Sequence, residues 1–110
     1  MTKGNKKEID LRSRIDVTSR MGNGQARKVL SEILNNNPNF ISYLTHCKDQ
    51  MKARRLIAGD VFNVLSVGKI IDEPEFVNGS WRYRVQTKNI TVVIAFRKPN
   101  HVAVVTTWRN

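Results

Sequence analysis

Residues 69–109 read KIIDEPEFVNGSWRYRVQTKNITVVIAFRKPNHVAVVTTWR, and the fold turns on this stretch. Valine, isoleucine, threonine and aromatic residues crowd four runs, Lys69–Glu75, Trp81–Thr87, Ile90–Arg97 and Val102–Trp108. β-branched and aromatic side chains pack well on a pleated surface, so each run reads as a strand. Asn78-Gly79 and Pro99-Asn100 are strong turn signals and Lys88-Asn89 a tolerable one, which folds the runs into an antiparallel meander of three to four strands. The connections are too short for the crossover that parallel pairing needs. Alternation sorts the faces. Trp81, Tyr83 and Val85 share one, Arg82, Arg84 and Gln86 the other, while TVVIAF (91–96) is apolar on both and marks a central strand.

Upstream the period changes from two to that of a helix. In QARKVLSEILNN (25–36), Ala26, Val29, Leu30, Ile33 and Leu34 form one apolar stripe, ended by Asn35, Asn36, Asn37 and Pro38. From Asn39 two parses compete. Phe40, Leu44, Cys47 and Met51 fit one helix reaching about Arg55; alternatively FISYL is a short strand and Thr45 the N-cap of a shorter helix. A third helix begins near Asp60 with Val61, Val64 and Leu65 inward, and Gly68 suits a left-handed cap at its end. Helices followed by a meander give an α+β domain, with N-terminal helices packed on one face of a C-terminal antiparallel sheet and the other face open to solvent. The residues expected to be buried are Val29, Leu30, Ile33, Leu34, Leu44, Met51, Val61, Leu65, Val93 and Ala95.

The 110 residues carry a net charge of +10, and residues 25–110 suffice for one α+β domain with a core of its own. Residues 1–24 read as a basic N-terminal extension. There Ile9, Leu11, Ser13, Ile15 and Val17 alternate with polar residues, as either an edge strand or a solvated arm would allow. A single cysteine, Cys47, excludes an internal disulfide, and no Cys/His spacing suits structural zinc. The segment MTKGNKKEIDLRSR lacks the apolar run of a secretory signal, and no stretch approaches a membrane span, so the expected compartment is the cytoplasm. Nineteen Lys and Arg against nine Asp and Glu point to a phosphate-rich or acidic protein partner.

Three groups of residues can carry chemistry. His46, Gln50 and Arg54 lie in line at i, i+4 and i+8, joining an imidazole suited to proton transfer with a guanidinium suited to phosphate. The plainer alternative is a wet helix face. Trp81, Arg82, Tyr83 and Arg84 interleave aromatic and basic side chains, as single-stranded nucleic-acid sites do, or simply alternate core and surface. Thr106, Thr107, Trp108 and Arg109 close the chain, and Arg97 reaches the same sheet face as Thr107 or Arg109 if the register allows. His101, beside Pro99-Asn100, reads as a solvated turn histidine. No GxxxxGK, GxGxxG, GxSxG or HExxH is present, and Asp49, Asp60, Asp72, Glu73 and Glu75 show no arrangement for two-metal catalysis, so a nuclease here is expected to need no metal or other cofactor.

The string THCKDQMKARRLIAGDVFNVLSVGKII, then WRYRVQTKNITVVIAF and VAVVTTWR, resembles the domain-of-unknown-function family 4258 over roughly residues 42–109. The matching elements are His46, Met51, Arg54, Gly68, Tyr83, Val85, Thr106, Trp108 and Arg109. The family often has Arg before the Met and Gly after the helix Arg, where this chain has Gln50 and Arg55. The resemblance implies a RelE-like or barnase-like fold and a toxin, encoded beside a small antitoxin, that acts as a ribonuclease. Its implied partners are RNA and an acidic antitoxin, with the ribosome left open.

Combined with the basic charge, this reading expects a metal-independent endoribonuclease that directs the ribose 2′-OH at the adjacent phosphorus. His46 is the expected general base or acid, Arg54 the transition-state cation and Tyr83 an orienting or protonating group. Arg84, Arg97, Arg109 and Trp81 are expected to bind RNA. The rival is a non-catalytic basic module for nucleic acid or an acidic protein, which needs no convergence of His46, Arg54 and Tyr83.

Overall fold

The computed structural model describes residues 16–36 and 40–110. Among them are three helices, α1 (Asn23–Asn36), α2 (Thr45–Ala53) and α3 (Ala58–Val67). Five strands, β1 (Ile41–Tyr43), β2 (Lys69–Val77), β3 (Ser80–Gln86), β4 (Ile90–Lys98) and β5 (His101–Arg109), form one sheet in the order β1-β5-β4-β3-β2. The fold is thus α+β, and residues 69–109 pair antiparallel throughout. The expected count of three to four strands and the purely antiparallel sheet are corrected by β1, which pairs parallel with β5, Ile41 opposite Val102 and Tyr43 opposite Val104. A three-residue strand has too little pattern to read alone. Its parallel return uses a crossover built from α2, α3 and the meander, long enough to satisfy the geometry.

The alternating stretch at Ile9, Leu11, Ser13 and Ile15 lies outside the described residues, as does the Asn37-Pro38 helix stop. Val17 is buried within a turn built on Asp16, whose carboxylate accepts hydrogen bonds from Thr18 and Ser19. Those bonds hold the Asp16 carboxyl below its ordinary value.

Helix α1 buries Ala26, Val29, Leu30, Ile33 and Leu34, the stripe its spacing predicts. It packs with α3 against the sheet face carrying Tyr83, Val85, Val92, Ile94, Phe96, Val102 and Val104, all in one core cluster. Nine of the ten residues expected inside are buried; Leu44 is half-buried, because it stands at the start of α2 and touches both this core and a smaller cluster on the opposite face. The strand-then-helix parse of FISYL holds, with the cap at Leu44 rather than Thr45 and no side-chain bond closing it. Asp60 accepts the Ile57 N–H at 2.9 Å and so closes the first turn of α3.

Gly68 is not in the left-handed region, as a cap glycine would be; its φ is −74°. A side chain is excluded there by contact instead, since a Cβ would lie 2.5 Å from the Val64 carbonyl oxygen and 3.0 Å from that of Gln86. The Arg27 guanidinium donates to the Leu65 and Gly68 carbonyls at 2.6 and 3.0 Å, satisfying the end of α3 from outside. Asn78 (φ 50°) and Gly79 (φ 82°) form the two-residue turn their identities signal.

Candidate functional site

The hairpin registers decide which side chains share the open face. The Asn78-Gly79 turn sets Glu75 opposite Arg82, a bulge at Asp72 (φ 60°) brings Ile71 opposite Arg84, and Arg84 stands opposite Val93 on β4. Val93 in turn faces Thr106, and Thr91 faces Trp108, on β5. A second shift lets β5 place both Val105 and Thr106 on this side. The result is a depression of about 180 Å³ lined by Glu73, Glu75, Arg82, Arg84, Thr106 and Trp108.

Beyond Tyr43 the edge of β5 is covered by α2 rather than by a strand, starting where the Leu44 N–H meets the Val104 carbonyl. This placement joins His46 to the sheet. The Thr106 hydroxyl donates to the Gln50 side-chain oxygen at 3.0 Å, and the Gln50 amide donates to His46 Nε2 at 3.0 Å. The Gln50 amide thus links the Thr106 hydroxyl on β5 to the imidazole on α2. From Thr106 to Arg84 is two strand spacings, about 10 Å.

Arg84 is held by Asp72 at 3.8 Å and Glu75 at 3.6 Å, and its guanidinium lies 6.0 Å from the centre of the Trp108 ring. The neighbouring Arg82 has a buried Nε with no hydrogen-bond partner among the described residues. The face therefore combines an exposed imidazole, two guanidiniums and an indole.

Other expected site residues lie elsewhere. Tyr83 is 1% exposed on the helix side, where its hydroxyl accepts the Met21 N–H at 2.9 Å, so it does not meet His46. The reason is the pleat: Tyr83 and Arg84 are adjacent and point to opposite faces. Burial pushes the Tyr83 hydroxyl above its ordinary value, opposed by the Met21 bond and by Arg20. Trp81 is also on the helix side, packed on Phe76 at 5.1 Å with Arg20 over its ring at 5.9 Å. Arg20 also pairs with Glu73.

Register separates Arg97 from Arg109. Lys98 pairs with His101 while Ile90 pairs with Arg109, so Arg97 and Arg109 stand near opposite ends of the hairpin, about 24 Å apart. Arg109 donates to the Arg54 and Arg55 carbonyls at 3.1 and 3.2 Å and fastens the end of α2 to β5. Arg54 is the exposed C-cap of α2, two turns, about 12 Å, from His46 along the axis. Arg55 follows with φ 56°, its N–H bonded to Lys52 and that of Leu56 to Met51, a left-handed helix ending that glycine adopts with less strain. His101 is half-buried rather than solvated, its Nε2 2.9 Å from the Ser42 hydroxyl.

Gln50, Thr106 and Trp108 stand in the candidate groups read from sequence, without the contacts that join Gln50 and Thr106 to His46 and Trp108 to Arg84; Asp72 and Glu75, the anchors of Arg84, are missed at sequence level. Counting outward from Asn78-Gly79 pairs Glu75 with Arg82 and is readable without a structure. The two bulges are not.

Among the described residues no helix is long and apolar enough to cross a membrane. No curated protein and no solved structure matches the chain. A family model described as a domain of unknown function (DUF4258) matches residues 43–109, from the last residue of β1 to the end of β5. That span covers more than half of the chain and includes His46, Gln50, Arg84, Thr106 and Trp108. The chain belongs to the DUF4258 family.

Proposed function

We propose that the protein is a RelE-like or barnase-like toxin that cleaves RNA without a metal ion in the cytoplasm, neutralised by an acidic antitoxin. The observation that carries this reading is the Thr106–Gln50–His46 chain, which fixes an imidazole at the rim of a sheet face bearing Arg84 and Trp108. Trp108 offers a ring on which a base stacks, and Arg84, its guanidinium oriented by Asp72 and Glu75, faces the phosphate.

In the reaction the 2′-oxygen attacks phosphorus as its proton leaves, and the bond to the 5′-oxygen breaks. That oxygen takes up a proton, and the products end in a 2′,3′-cyclic phosphate and a 5′-hydroxyl. His46 serves one of the two proton transfers, and Arg84 with Arg82 offsets the charge that builds on the phosphorane oxygens.

The test is incubation of the purified chain with total RNA in EDTA, with the new ends identified by mass spectrometry. His46→Ala is expected to lower cleavage by about 10²–10⁴-fold while retaining the wild-type melting temperature, because the side chain is exposed. Normal cleavage by His46→Ala rejects the assignment. RNA retained by the wild-type protein without cleavage selects the binding-module reading.

A further inference from the structure

On the flank of α2 away from His46 lies a second concavity, of about 620 Å³, whose wall is apolar: Tyr43, Met51, Leu56, Ile57 and Ala58. Ile57, in that wall, is 68% exposed. Three cations, Lys48, Lys52 and Arg55, complete the lining, and none of them has an ion-pair partner among the described residues. Arg55 is held at φ 56°, so a charged side chain occupies a backbone position that glycine fills at lower cost.

We infer that this groove receives an acidic amphipathic segment of a protein partner, its apolar side chains against Ile57, Leu56 and Met51 and its carboxylates toward Lys48, Lys52 and Arg55. The charge complementarity selects the partner's sign, and the aliphatic wall selects a protein segment over nucleic acid. Phosphates gain nothing from Ile57 and Met51, whereas an amphipathic protein segment buries its apolar side chains against such a wall. Lys48 stands 200° around the helix from His46, so an occupant here sits on the far side of α2 from the open sheet face. The inference does not depend on the cleavage reaction.

The probe is a synthetic 15-residue helix with leucine at i, i+3, i+4 and i+7 and glutamate on its other face, titrated into the isotope-labelled full chain. Amide shifts are expected at Lys48, Lys52, Arg55 and Ile57. Ile57→Asp, an exposed change, and Lys48→Glu with Lys52→Glu are each expected to weaken the complex at least tenfold. Arg55→Gly separates structure from binding: it should raise the melting temperature by relieving the left-handed strain, yet reduce peptide affinity. Equal binding of a lysine-for-glutamate peptide, shifts confined to the open sheet face, unchanged affinity in Ile57→Asp, or displacement of the peptide from the groove by oligouridylate would each overturn the inference.

Discussion

The two faces of β3, β4 and β5 are made from the same strands, one residue out of phase, and they differ in almost every physical respect. On the helix side Tyr83, Val85, Val92, Ile94 and Val104 are at most 1% exposed, and the buried hydroxyls of that face are spent within the fold, Tyr83 accepting the Met21 N–H and Thr107 donating to the Thr91 carbonyl. On the open side Arg82, Arg84, Thr106 and Trp108 are only half-buried; Arg84 is paired to β2 and lies beside the Trp108 ring, and Thr106 is bonded to α2. One face is a packed core, and the other carries the polar and charged side chains on which the proposed cleavage rests. Proximity in sequence is thus a poor guide to shared function on a strand: Tyr83 touches Arg84 in the chain and is separated from it by the sheet.

This contrast breaks if the wrong face proves costly to alter. The largest stability effect is expected at Ile94→Ala, which should cost about 2–5 kcal/mol in denaturant unfolding through lost transfer energy and a residual cavity. Thr106→Val, on the open face, should stay within about 1 kcal/mol of wild type but slow RNA cleavage, because Gln50 loses its donor. A loss at Thr106 comparable to that at Ile94 would erase the distinction.

Gly68→Ala comes next, at about 1–3 kcal/mol, because its Cβ meets two carbonyl oxygens where α3 hands over to β2. Thermal unfolding checks it, and a value near zero would show that this junction has room to move.

The smallest effect is a pH dependence confined to the helix side. Burial raises the Tyr83 hydroxyl above its ordinary value of 10.0, so as pH climbs past that value the unfolded chain releases its proton first and stability falls. Cys47 and Tyr43, also raised by burial, act in the same direction. Tyr83→Phe should start less stable, with the Met21 N–H unpaired, and lose its share of the alkaline decline. Unfolding curves between about pH 8 and pH 11 measure both, and an unchanged slope would place the decline on Cys47 and Tyr43 alone.

Much of the architecture is legible because period and turn chemistry agree. The stripe on α1, the inward residues of α3 and the alternation of Trp81 through Gln86 follow from spacing, and Asn78-Gly79 fixes the first hairpin. Features that depend on long-range contact are not legible. FISYL reads as a strand only in one of two parses, and its parallel pairing with β5 leaves no mark in the sequence. Gly68 looks like a left-handed helix cap in sequence and is instead the close approach of the end of α3 to β3. For the site, the line of His46 and Gln50 on one helix strip is visible, and so is the basic face of β3. That Gln50 reaches Thr106 depends on α2 lying along β5. The separation of Arg97 from Arg109 depends on a register that residue identities leave open.

The direct test of a chemically active open face is a pair of neighbours, Arg84→Ala and Tyr83→Phe, each followed for melting temperature and for RNA cleavage in EDTA at a temperature where both are folded. Arg84→Ala removes two exposed ion pairs of little energetic weight and should melt near wild type while cleavage falls at least 100-fold, within the range expected for one transition-state cation. Tyr83→Phe should melt lower and cleave at the wild-type rate. The reverse pattern, cleavage lost with Tyr83 and kept without Arg84, would contradict the assignment of chemistry to the open face.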